Sequence, residues 1–434
     1  MHRFFLLHSI STTPTRQVMD HRHRLFRHFA FSNVCAQSAE QVGLATAPMV
    51  AVYLFSATAS ETAFLQMVQS APFLLLAIPS GILADRLPRR SMLMNAEMLR
   101  ASCFAIILVL LINESLDMIS LAVLSFIGAA GTVAYNVTVP GTTPLLVSRQ
   151  NLAVANSRLE LARSVAFTAG PSIAGLIYAA VGGAPSYAIA LILSLSAIGW
   201  IIRIPIATPS SSKRNLYLEL KEGFTFTFGN IHLRPVLFTA VMFNTSWFIL
   251  QASFVPYAAS HLNMDAAAVG TAMAVYGIGM ICGALVTPRL GRILTFGNLV
   301  VLGPVGGVIG AALMATSVWL PTELTIWASF FFFGFGPVIW AATTATLRQA
   351  VTSQALIGRV SAVITTFTFG ARPIGALIAA GIAAWYGPAA CVIAALVGFA
   401  IQLAIILPST VSKLAEIPVQ KVPDGGPMQS VRSF

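Results

Sequence analysis

The sequence predicts an all-α membrane protein: twelve transmembrane helices in two pseudo-symmetric six-helix bundles, with both termini cytosolic. Three observations lead there. Apolar stretches of about twenty residues, the length a helix needs to cross the hydrocarbon core, recur along the chain. Lysine and arginine fall in alternate loops between them. Short motifs that follow the second run and interrupt the fifth return six runs later. Of 434 residues, 57% are apolar and 9% charged, against roughly 25% charged in a soluble domain. No soluble core absorbs that much apolar surface, so the bilayer is the solvent for most of the chain.

Residues 1–24 form a basic segment expected to be disordered, polar from Ser9 to Asp20 and ending in His21-Arg22-His23-Arg24. Phe4-Phe5-Leu6-Leu7 is too short for a signal peptide's apolar region. Met19, just ahead of the basic cluster, offers a second start that would leave residues 1–18 without function. The first bundle, 25–207, holds the runs 28–55, 61–82, 92–112, 117–139, 152–181 and 184–206. A cytosolic linker, 208–232, opens with Pro209-Ser210-Ser211-Ser212-Lys213-Arg214 and continues as an amphipathic stretch from Leu216 to Gly229 that can lie on the membrane. The second bundle, 233–409, holds 234–259, 266–288, 295–317, 322–347, 357–385 and 387–408, and a tail, 410–434, is expected to be disordered.

With a cytosolic amino terminus, one set of loops carries Arg86, Arg89, Arg90, Arg149, Arg289, Arg292 and Arg348, while the opposite loops carry Glu61, Glu114, Asp117, Asp265 and Glu323 with no lysine or arginine. This asymmetry sets orientation and supports an even number of crossings. It also accounts for the net charge of +11 without a nucleic-acid partner; membrane lipid is the expected surrounding. Cys35, Cys103, Cys282 and Cys391 stand singly in apolar runs, which matches neither a metal site nor a disulfide framework. No nucleophile–base motif, P-loop or zinc-protease motif is present, so neither an enzyme nor an ATP-driven pump is expected.

Intramembrane ionisable groups are the candidate functional residues, because each is costly to place there. Glu40 lies about 18 Å into the first run by helical rise, flanked by Gln41 and followed by the kinking residue Pro48. A half-desolvated carboxylate at that depth can take up and release a proton, or be a structural group bonded to a neighbouring helix. Glu97 and Arg100 share one face of the third run, and Arg100 stands about 15 Å past the preceding loop. Arg100 is deep enough to meet Glu40 or an acidic substrate group. Glu160 and Arg163 repeat the spacing, read as an interfacial pair. Arg372 is a mid-helix cation with no carboxylate within a turn and is a cavity candidate. Asn136, Asn244 and Trp247 lie at similar depths. Phe330 to Phe333 either line a cavity or face lipid.

The stretch Gly81-Ile82-Leu83-Ala84-Asp85-Arg86-Leu87-Pro88-Arg89-Arg90 resembles the loop between helices two and three of the major facilitator superfamily, usually written G-x-L-A-D-R-x-G-R-K. Pro88 stands where the family prefers glycine and Arg90 where it often has lysine. Gly283 to Arg292 repeats the glycine and the terminal arginines, including Arg289 and Arg292, without the aspartate. Gly170-Pro171-x-x-x-Gly175 is similar to a fifth-helix signature of proton-driven antiporters, and Arg372-Pro373-Ile374-Gly375 echoes it. Arg24-Leu25-Phe26-Arg27, Glu97-Met98-Leu99-Arg100 and Leu152-Ala153-Val154-Ala155-Asn156 resemble a bacterial exporter branch of enterobactin-exporter-like and macrolide-efflux-like proteins. The resemblance covers about residues 25–408. It implies a monomeric secondary transporter of the bacterial inner membrane, without cofactor, exporting a small amphipathic molecule by alternating access against protons. It also implies a gate in which Asp85 meets the start of the eleventh helix near Gly358 and Arg359. A lipid mover, or a scaffold or sensor of the same fold, is the alternative.

Overall fold

A computed structural model describes residues 16–147, 152–205, 216–353 and 356–418, and these residues form helices joined by short turns. In chain order they are α1 (Arg16–Met49), α2 (Ala59–Leu75), α3 (Ala77–Arg86), α4 (Arg89–Ile112), α5 (Met118–Leu146), α6 (Leu152–Val181) and α7 (Gly183–Ile201). Then come α8 (Leu216–Gly229), α9 (Leu233–His261), α10 (Ala266–Leu290), α11 (Phe296–Thr316), α12 (Glu323–Val351), α13 (Ile357–Tyr386) and α14 (Pro388–Ile406). Among the described residues, ten of these helices are long and apolar enough to cross a membrane. Large apolar side chains such as Ile119, Ile192, Leu285, Leu377 and Val397 are exposed around the bundle, where only a lipid surrounding makes them favourable.

The expected runs map onto these helices with instructive departures. The second run divides at Leu76 into α2 and α3, while the Leu76 and Ser80 amides keep helical hydrogen bonds of 2.8 Å on either side. Pro79 brings no amide hydrogen to this turn, which is why the axis breaks there. Pro48 acts similarly: α1 passes directly into a π-helical turn, Val50–Leu54. The basic segment expected to be disordered is helical from Arg16, since neither proline nor glycine occurs between Arg16 and Val42 to stop it. The first part of the tail is also ordered: Gly297 and Phe296 donate their amides to the Leu414 and Ala415 carbonyls, and Val411 is buried. Residues 206–215, with most of the linker's first part, and the tail beyond 418 lie outside the described residues.

Helices α1–α7 form one half and α9–α14 the other. Within the first half, α1 packs on α6 and α7, and α4 on α5 and α7; within the second, α9 packs on α13 and α14, and α11 on α12. The halves meet along two seams, α2 with α13 and α6 with α10. The helix-five signature uses one glycine within the first half and the other at a seam. A Cβ on Gly170 would meet Gln41 Cβ on α1 at 2.5 Å, and one on Gly175 would meet the Gly270 Cα on α10 at 2.6 Å. Small residues thus let backbones touch where three helices converge.

The two ends of the molecule differ. At the end opposite α8, the halves are joined: the Tyr53 hydroxyl donates to the Met264 carbonyl at 3.0 Å and the Ser60 hydroxyl to the Ala380 carbonyl at 2.9 Å. Trp319, Trp385 and Tyr386 are exposed there, as aromatic side chains are at a membrane interface. Towards the end that carries α8, the linker end, a cavity lies between α6 and the helices α12 and α13.

Candidate functional site

The gap between the halves is a cavity in two connected chambers. The deeper, of about 200 Å³, reaches towards the closed end. The wider, of about 410 Å³, runs towards the linker end between α9, α12 and α13. Arg163, Phe167, Phe243, Asn244, Tyr276 and Arg372 border both.

Glu40 is placed here by α1. Its side chain is 8% exposed, and its Oε2 is buried with no hydrogen-bond partner. It is the one carboxylate among the described lining residues. One turn earlier, Gln37 Nε2 donates to Asn136 Oδ1 at 2.8 Å, so α1 and α5 are tied together at the cavity wall. Across the gap, Arg372 Nε donates to Asn244 Oδ1 at 3.2 Å, and its guanidinium lies 4.0 Å from the Phe369 ring centroid and 5.4 Å from that of Phe248. An aromatic stack and a neutral amide hold the cation without cancelling its charge. Trp247 completes a second aromatic wall, stacked with Phe243 and Tyr276 at 6.4 and 5.4 Å.

Glu40, Asn136, Asn244, Trp247 and Arg372 therefore all border the cavity, as does Pro171. Arg100 and Glu97 do not. Arg100 is 2% exposed and Glu97 is 0% exposed, and Arg100 Nη2 donates to both Glu97 oxygens, at 2.5 and 2.6 Å. Arg100 also reaches the Ala36 carbonyl at 2.8 Å, Thr132 Oγ1 at 3.3 Å and Ser194 Oγ at 3.4 Å. It joins α1, α4, α5 and α7 inside the first half, and Glu97 already supplies the carboxylate it was expected to seek in Glu40 or a substrate.

Arg163 lines both chambers; the side chain of Glu160, its expected partner in an interfacial pair, is outside the described ones. Arg348 lines the wider chamber. In the phenylalanine run, Phe330 and Phe333 are buried in the core of the second half, Phe331 and Phe332 are half-buried, and Pro337 at its end lines the wider chamber. The sequence reading also passed over Gln66, Gln69 and Gln251, neutral amides that line the deeper chamber.

At the linker end lie the residues expected to form the gate, of which the Asp85 side chain is outside the described ones. Gly358 faces open space, and Arg359 is bound by Glu222 on α8. Arg90 Nη2 donates to the Ile202 carbonyl at 2.7 Å, closing the carboxyl end of α7, and the Arg89 guanidinium lies over Gly141 on α5. A Cβ on Gly81 would meet Val137 at 3.8 Å, an ordinary contact, whereas one on Gly283 would meet the Phe335 carbonyl oxygen at 2.6 Å. Arg86 and Arg292 are exposed, and Arg289 reaches back to the Leu285 carbonyl at 3.3 Å.

Two helical halves around a polar cavity closed at one end define a transporter of the major facilitator type. The profile of the transmembrane secretion effector family matches residues 21–427, and the chain belongs to that family. It is 26% identical over 359 residues to the enterobactin exporter EntS of Citrobacter koseri, covering 80% of this chain and 83% of that protein. The exporter of the same name from Salmonella typhimurium is 25% identical, over 71% and 74% of the two chains. Among solved structures, a mutant of the nucleoside transporter NupG superposes with a TM-score of 0.67 at 12% identity, over 89% of this chain and 99% of its own. A bacterial homologue of the iron transporter ferroportin in its inward-facing state gives 0.66 at 14% identity, over 88% and 99%. These structural likenesses concern the fold alone.

Proposed function

We propose that the chain crosses the bacterial inner membrane twelve times, α1 and the broken α2–α3 adding to the ten longer apolar helices, with the linker end in the cytosol. It then stands open to the cytosol and exports a small amphipathic molecule, as a monomer, in exchange for protons. The observation that carries the coupling is Glu40, a buried carboxylate with one unpartnered oxygen at the wall of a cavity whose other charges are guanidiniums.

The sign of the coupling constrains the substrate. For exchange, substrate binding has to favour the ionised carboxylate and so expel its proton. A hydroxyl or N–H donor on the substrate does this, because a carboxylate with a free lone pair accepts it strongly. A bare anion beside Glu40 would do the reverse. Arg163, Arg348 and Arg372 in turn suit electron-rich oxygens, and the aromatic walls suit an apolar body. The reading is therefore an oxygen-rich amphiphile bearing donors, a description that siderophore-like and drug-like molecules both meet.

The test is accumulation in inverted vesicles under an imposed proton gradient, with a panel of catecholates, macrolides and lipophilic cations. The native protein is expected to accumulate an oxygen-rich member of the panel, and Glu40→Gln to lose gradient-dependent accumulation while still binding it. Undiminished accumulation by Glu40→Gln would remove the carboxylate from the coupling. Transport confined to labelled lysophospholipid would favour a lipid mover.

A further inference from the structure

We propose that a groove on the outer surface of the first half, at the linker end of α1, binds the headgroup of an anionic phospholipid. The groove, of about 600 Å³, is bordered by Arg24 and Arg27 on α1 and Arg158 on α6, and it shares no residue with the central cavity. All three arginines are exposed, and among the described side chains no carboxylate pairs with them. Three guanidiniums around one hollow match the geometry and charge of a phosphodiester.

The rest of the groove distinguishes a lipid from a soluble anion. Arg24, Arg27, Phe31 and Val34 are spaced three, four and three residues apart, so they stand on one face of α1. Phe31 and Val34 are 48% and 39% exposed on that face. Val34 lies about 15 Å along the axis from Arg24 by helical rise. The face thus passes from cationic to apolar in the direction that an acyl chain takes away from its phosphate. Its wall is fixed, because the Phe31 ring stacks on Trp200 at 5.4 Å and the Arg203 guanidinium lies 4.8 Å from the Trp200 ring centroid. Loose surface arginines attract anionic lipid through the field they share; a rigid aromatic wall beside them makes a place where one lipid stays.

The experiment uses the full chain purified in phosphatidylcholine nanodiscs, with phosphatidylglycerol, cardiolipin or more phosphatidylcholine titrated in and bound lipid read by native mass spectrometry. Phosphatidylglycerol and cardiolipin are expected to remain as adducts under conditions that strip phosphatidylcholine. Replacing all three arginines, Arg24→Gln, Arg27→Gln and Arg158→Gln, is expected to lower that retention by about a hundredfold, each position contributing about fivefold. Unchanged melting in pure phosphatidylcholine certifies the fold of the variant, and Arg158→Gln alone carries the same readout should the triple variant not fold. Phe31→Asn is expected to weaken phosphatidylglycerol without changing competition by inorganic phosphate. Equal retention of phosphatidylcholine, full retention by the arginine variants, or displacement by millimolar inorganic phosphate would each overturn the proposal.

Discussion

Glu97 takes both its hydrogen bonds from one guanidinium a turn away on its own helix, whereas Glu40 keeps an oxygen without a partner. The pairing was legible in the sequence, since residues three apart on a helix share a face; that it closes on itself was not. Three further oxygens from α1, α5 and α7 complete Arg100, and no spacing within α4 announces them. Breaking one member leaves the other charged and buried, at a cost of about 3–5 kcal/mol. Arg100→Met and Glu97→Leu are each expected to lower the unfolding midpoint substantially, and the double variant to lose less than the sum of the two. Strict additivity of the two losses in detergent unfolding would mean that the pair does not act as one unit. Arg163 has a place that spacing along α6 does not announce, because the cavity wall it reaches belongs to the assembled halves.

At the scale of elements, α8 is a helix that the alternation of Leu216, Leu218 and Leu220 with charges foreshadowed; its partner was not visible. It docks on the start of α13. Glu222 binds Arg359, a Cβ on Gly223 would meet the Arg359 backbone at 2.8 Å, and Phe228 packs edge-on to Phe367 with centroids 5.5 Å apart. Among the described side chains, Glu222 on α8 binds Arg359, the residue that the superfamily resemblance assigns to the gate. Both side chains of the ion pair are partly exposed, so its worth is about 0.2–1 kcal/mol, enough to bias two conformations of similar energy. Glu222→Arg is expected to speed amide exchange in α8 and to favour the form closed at the linker end; adding Arg359→Glu is expected to restore slow exchange. If the swap rescues nothing, the aromatic contacts alone hold α8. The phenylalanine run teaches the same lesson about partners. Phe330 and Phe333 stand three apart and share a face of α12, but that this face meets Trp247 and Phe254 of α9 is a property of the bundle.

For the whole molecule, the repeat of motifs six runs apart foretold two halves, and the seams α2–α13 and α6–α10 mirror each other, since α2 repeats as α10 and α6 as α13. Which end would be closed was beyond the sequence, because both arrangements use the same helices. The hydrogen bonds from Tyr53 and Ser60 select one of them. Cysteines placed at Ser60 and Ala380, with the four native cysteines replaced, are expected to join readily through a short cleavable bis-thiol reagent. The joined protein should still bind substrate from the linker end and complete no transport until the link is cut. Transport by the joined protein would show that this end never parts.

The separate circumstances of the buried charges also bear on how the chain is made. Helices enter the bilayer in order of synthesis. α4 carries its own neutralising pair and crosses the translocon as a dipole, needing nothing from later segments. In the proposed twelve-crossing topology, α1 brings Glu40 into the lipid while α13, and Arg372 with it, is most of a chain length from being made. Until the second half arrives, a protonated side chain is the form of Glu40 that hydrocarbon tolerates. The residue assigned here to carry protons would then bind its first one during insertion, before there is a cavity to release it into.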